Sequence, residues 1–106
     1  MVKKRNSEGI VSMGEGLQRQ TLVHGERTHL VKFMLGKGSI VPLHNHLHEQ
    51  TGHLLSGSMR LTIDGKKYDL EEGDSWCVGG DIPHEAEVME DTVIIEVFSP
   101  VREDYF

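Results

Sequence analysis

Residues 42–57 read Pro-Leu-His-Asn-His-Leu-His-Glu-Gln-Thr-Gly-His-Leu-Leu-Ser-Gly, with His44, His46, His48 and Gln50 at two-residue steps before Gly57. Side chains on a strand alternate between its faces, so residues two apart share a face and their imidazoles can meet at one ion. A strand carries this pattern without any help from a helix. A second half-site, Pro83-His84, lies downstream.

Working outward from that stretch, the glycines and prolines are scattered rather than pooled, and they separate short β-branched, aromatic or alternating runs. Strands are expected over 17–23, 28–35, 40–44, 51–55, 59–63, 67–70, 75–78, 84–89 and 92–98. No stretch carries a helical period. Asp64-Gly65, between Met59-Arg60-Leu61-Thr62-Ile63 and Lys66-Lys67-Tyr68-Asp69-Leu70, predicts a tight type I′ hairpin, whose central residues need positive φ. Glu90-Asp91 predicts a further turn before the last strand. So many short strands in one small chain imply an all-β, closed or nearly closed sheet sandwich that leaves few exposed edges.

The chain of 106 residues has the length of one domain. The β-rich core is expected over 17–98, with an N-terminal tail over 1–9 and a C-terminal tail over 99–106 that lies across a barrel mouth or a partner. The composition, 37% hydrophobic and 26% charged, is that of a soluble globular protein, and no apolar run is long enough for a membrane span. Lys3, Lys4 and Arg5 lead into polar residues rather than an apolar segment, so a signal peptide is not expected. A formal charge of -6 disfavours nucleic acid and anionic membranes as partners. The single cysteine, Cys77, cannot form an intramolecular disulfide, which fits a reducing cytoplasm, and in Ser75-Trp76-Cys77-Val78 it is expected to be a small buried hydrophobe.

Gly38, His44, His46, Gln50 and Gly57, followed by Gly73-Asp74 and Pro83-His84, resemble the two motifs of the cupin superfamily over residues 38–88. Three positions depart from the common pattern: Gln50 stands for a glutamate, Gly79 for a proline and Val88 for an asparagine. The resemblance implies a single-domain cupin jelly roll, the RmlC-like double-stranded β-helix barrel. It also implies one divalent transition metal, Ni, Fe, Mn, Zn or Cu, held by His44, His46, Gln50 and His84. A neutral amide in place of a carboxylate leaves the ion its full charge, which favours an anionic or oxygen-rich ligand. His48 and Glu49 compete for the fourth position on reach alone, and family spacing selects Gln50. If Gln50 points inward, Gly52 and Leu54 share its face while Thr51, His53 and Leu55 face away. His53 is then a packing or interface residue, and His24 and His29 are expected to be structural.

On the last strand Val93, Ile95 and Val97 share one face, and Ile94, Glu96 and Phe98 the other. A carboxylate among apolar neighbours is costly to bury alone, so Glu96 either faces solvent or sits in a polar pocket. Gln at the fourth ligand position, together with the ending from Glu96 to Phe106, resembles the pectin-degradation, KdgF-like small cupins. Glu96 stands where that group has an aspartate, one methylene shorter. This narrower resemblance implies ring opening and tautomerisation of an unsaturated uronate to a linear keto acid. Glu96 is then the general acid/base, Arg102 the catalytic and binding partner of the substrate carboxylate, and Phe98 an apolar substrate wall. It further implies a small-molecule sugar acid as partner and a homodimer as assembly. A metal-dependent cupin dioxygenase and a non-catalytic sugar- or metal-binding cupin are the rival functions.

Overall fold

The computed structural model describes residues 1–106, and it is almost wholly antiparallel β-structure. The ten strands are β1 (Ile10–Gly14), β2 (Leu17–His24), β3 (His29–Leu35), β4 (Ile40–His44), β5 (Glu49–Ser56), β6 (Ser58–Ile63), β7 (Lys66–Glu71), β8 (Ser75–Val78), β9 (His84–Val88) and β10 (Thr92–Ser99). They form a six-stranded sheet, β1-β2-β3-β10-β5-β8, and a four-stranded sheet, β4-β9-β6-β7. The two inner faces close over one core, giving the expected jelly-roll barrel with a radius of gyration of 13.1 Å, about that of a single domain of this length.

Alternation decides which residues enter that core. Along β3, His29, Val31, Phe33 and Leu35 are buried and their neighbours are not; along β10 the buried set is Thr92, Ile94, Glu96 and Phe98. These join Leu54, Met59, Leu61, Ala86 and Val88 from the other strands. Each of the larger apolar side chains, Ala86 excepted, stabilises the barrel by about 1.5–3 kcal/mol relative to exposure. The Asp64-Gly65 hairpin forms as expected, with φ of 49° and 82° at the two central residues. The bend before β10 falls at Met89 and Glu90.

Three expectations are corrected. Residues 10–14, assigned to no strand from the sequence, form β1, an edge strand mostly exposed on both faces and therefore without a clear alternating signal. Cys77 is exposed, because Trp76 and Val78 take the inward positions of β8 and period two turns the thiol outward. β5 begins at Glu49, which puts Gln50 on the strand itself. No helix is long and apolar enough to cross a membrane.

The C-terminal tail lies against the barrel end, as one of the two expectations had it. The Arg102 backbone N–H donates to Nδ1 of the fully buried His29 at 3.2 Å. That leaves the imidazole proton on Nε2, which donates to Thr21 Oγ1 at 2.8 Å, and the Thr21 hydroxyl donates onward to the Tyr105 carbonyl at 3.1 Å. His29 is structural, as expected, while the exposed His24 stacks on Phe106 at 4.3 Å.

Candidate metal and acid site

His44 ends β4 and His84 begins β9, and the two are paired across the four-stranded sheet with ring centroids 4.2 Å apart. His46 follows on the short link to β5, its ring 5.5 Å from His44 and 5.1 Å from His84. One nitrogen from each of these three rings falls within 4.8 Å of the others. His48 stays outside this cluster, and Glu49 is exposed on the outer face of β5.

The tautomers follow from the backbone. His44 Nδ1–H donates to the Pro42 carbonyl and His84 Nδ1–H to the Ile82 carbonyl, both at 2.8 Å. A ring whose Nδ1 carries the proton presents a lone pair on Nε2, the arrangement a metal-binding imidazole needs. His84 Nε2, both His46 nitrogens and Gln50 Oε1 are buried with no hydrogen-bond partner. Arg19 Nε and His48 Nδ1 are also unpaired, but the open atoms of His46, His84 and Gln50 are of the kinds that can coordinate a cation. Burial, reinforced by Arg102 and the other imidazoles, lowers the His46 pKa to about 4 and keeps the ring neutral at pH 7. Burial also depresses His84, against the opposing pull of the Ile82 carbonyl. Neutral imidazoles and an amide oxygen are donors suited to a divalent transition metal, so the residues present fit such an ion.

Across the barrel, register sets the carboxylate. Phe98 of β10 pairs with Gln50 of β5, which pairs with Val78 of β8. One step along, Glu96 pairs with Gly52, which pairs with Trp76. Glu96 is 7% exposed and sits in a polar pocket, not at a solvent edge. Its Oε2 accepts hydrogen bonds from Gln50 Nε2 at 2.5 Å and Trp76 Nε1 at 2.9 Å. Because the carboxylate takes the Gln50 amide nitrogen, the amide oxygen is turned away and left free. Burial raises the Glu96 pKa to about 7; the Trp76 and Gln50 hydrogen bonds and the nearby Arg102 hold it back from rising further.

A cavity of about 200 Å³ joins the two halves, lined on its polar side by His44, Gln50, His84, Glu96, Arg102 and Tyr105. Phe98, Phe33, Leu61 and Met13 are among its apolar walls. This is the scale of one small ring, since a cavity of about 150 Å³ accepts benzene. Arg102, 9% exposed, lies with its guanidinium 3.8 Å above the Tyr105 ring and 5.1 Å from that of Phe98. Asp104 accepts from its Nε at 3.3 Å and its Nη2 at 2.8 Å. Phe98 therefore belongs to the core and to the cavity wall at once.

His53 points outward and bonds Ser75 Oγ at 2.7 Å, away from the cavity. Two lining residues escaped the sequence reading. Tyr105 carries no motif signal, whereas period two along β8 places Trp76 on the same inward face as Val78.

The cupin domain profile matches residues 31–99. The chain is 30% identical over 95 residues to the pectin degradation protein KdgF of Dickeya dadantii (strain 3937), covering 88% of this chain and 86% of that protein. Among solved structures, KdgF from a Halomonas species superposes with a TM-score of 0.87 at 27% identity, covering 92% of this chain and 90% of that one. An RmlC-like cupin from Shewanella frigidimarina NCIMB 400 also gives 0.87, at 33% identity, with 92% and 87% covered.

Proposed function

Because the chain belongs to the cupin family, we propose that it is a metal-dependent cupin enzyme that opens and tautomerises an unsaturated uronate, as in the breakdown of pectin or alginate. The observation that carries this reading is the buried Glu96, joined to Gln50 and facing the same cavity as His44 and His84.

His44, His46, Gln50 and His84 would hold the divalent ion. When bound, such an ion supplies a fixed positive charge that stabilises negative charge developing on a sugar oxygen. Glu96 moves the proton. With a pKa of about 7 it is available as base and acid at neutral pH. It takes the proton of the anomeric hydroxyl as the C1–O5 bond breaks and C1=O forms, then delivers that proton to C4 as the enolate left on O5 becomes the C5 ketone. The product is an isomer of the substrate, and no electron is gained or lost. Arg102 holds the substrate carboxylate, its charge kept beside the cavity by Tyr105, Phe98 and Asp104. Phe98 keeps water from the acid and the sugar ring in place. We expect the protein to work in the cytoplasm as a homodimer, with sedimentation velocity as the check on assembly.

The test incubates metal-loaded protein with 4,5-unsaturated galacturonate and follows loss of the ring double-bond absorbance. Acceleration that disappears in Glu96→Gln and weakens in Arg102→Ala is the expected result. Equal rates with and without protein reject the reading. Oxygen uptake by the iron-loaded protein marks a dioxygenase instead, and binding of the uronate without conversion marks a binding protein.

A further inference from the structure

Trp76 is the only tryptophan of the chain, and it is mounted two strands away from the acid. Neighbouring strands lie about 4.8 Å apart, so the backbones of Trp76 and Glu96 are separated by roughly 10 Å, with β5 between them. Only a long ring on one side and a long carboxylic acid on the other span that gap. The residue between them is Gly52, and its lack of a side chain is what lets them meet. A Cβ built there collides with Cε2 and Nε1 of the Trp76 indole, far inside any tolerable contact.

We propose that Trp76 is a positioning residue for Glu96: its indole N–H, admitted by Gly52, holds Oε2 and leaves Oε1 as the oxygen that exchanges protons with the substrate. The inference rests on the uronate reading for its effect on turnover, but the geometry of the clamp stands independently of it. Both N–H donors, from Gln50 and Trp76, go to Oε2, and Oε1 accepts no hydrogen bond from the protein. A carboxylate with one oxygen tied twice cannot rotate freely, so its free oxygen has a fixed direction. An aspartate at this position would draw the carboxyl back by about 1.5 Å, one carbon–carbon bond, and leave the indole without its acceptor. Gly52, Trp76 and the longer acid at position 96 therefore make sense as one set.

A single tryptophan makes the test clean, since the chain can be expressed with 3-benzothienylalanine in its place. That ring nearly matches indole in shape and lacks the N–H. With metal-loaded protein and 4,5-unsaturated galacturonate, kcat is expected to fall on the order of 10- to 100-fold while KM stays within about twofold. Trp76→Phe should change the constants in the same direction. An analogue-bearing protein with wild-type kcat overturns the inference while leaving the uronate reading intact. If the wild-type protein does not convert the uronate, the uronate reading fails and the clamp is judged by NMR of the one indole N–H. Slow solvent exchange of that proton, and a resonance that moves in Glu96→Gln, support it. Exchange as fast as in free tryptophan, or a resonance indifferent to Glu96→Gln, overturns it.

Discussion

The two sheets make their contributions to the site in different ways. The four-stranded sheet, continued by the link after β4, presents His44, His46 and His84, and two of these rings are oriented by carbonyls two residues before them. The six-stranded sheet presents Gln50, Trp76 and Glu96, whose contacts run between strands far apart in sequence. One half is organised by local spacing and the other by register. The difference teaches that damage to the histidine cluster and damage around Glu96 can be told apart, with Gln50, bonded to Glu96, as the link between them.

The largest expected effect comes from Glu96→Gln, which should lower turnover of 4,5-unsaturated galacturonate by about 10²–10⁴-fold, the range for losing a general acid/base. Ni²⁺ binding followed by calorimetry should persist in this variant; its loss would merge the two halves into one unit. His46→Ala is the converse. Loss of an outer partner of a metal ligand typically weakens binding by roughly 10- to 100-fold, and removal of His46 should exceed that in the same titration.

A smaller effect lies at the tail. His29 has its pKa lowered from the ordinary 6.5, by burial first and then by His24 and Arg102, with His48 adding slightly and Asp104 opposing. Tyr105 is a further titratable neighbour, its ring centroid 6.4 Å from that of His29. The unfolded chain therefore binds a proton on this residue more readily than the folded one. The stabilisation is complete above about pH 6.5 and is lost as pH falls through the depressed folded value. In denaturant titrations from pH 7 to pH 5, His29→Asn should show a shallower loss of stability than wild type. Equal slopes would remove His29 as the cause. The smallest effect is expected on the outer surface, where Arg60 donates to Asp69 at 2.7 Å between β6 and β7. Both groups face solvent, so Arg60→Ala should leave the thermal midpoint indistinguishable from wild type.

The same divide explains what could be read in advance. The histidine cluster was legible because its members are spaced along short segments, and Pro83-His84 completes the pattern. The inward face of β10 was legible because alternation alone separates Ile94, Glu96 and Phe98 from their neighbours. The Asp64-Gly65 hairpin was legible from two residues. The row Glu96-Gly52-Trp76 was not, since pairing between β10, β5 and β8 is a long-range outcome that no spacing encodes. β1 was missed because an edge strand buries little. Cys77 shows the limit of the general preference of cysteine for interiors, since the alternation set by Trp76 and Val78 turns it outward. Asp104 pairing with Arg102 was foreseeable as a charge contact, but the stacking of the guanidinium on Tyr105 was not.

β8 is four residues long and has a single neighbour, β5, at the border of its sheet. Border strands fray before interior ones, because fewer ladder bonds must open to release them. The tryptophan that steadies the acid thus hangs from one of the least-anchored strands of the barrel. Whatever docks along that border and tightens it will also quiet the carboxyl group inside, while whatever loosens it will let that group wander.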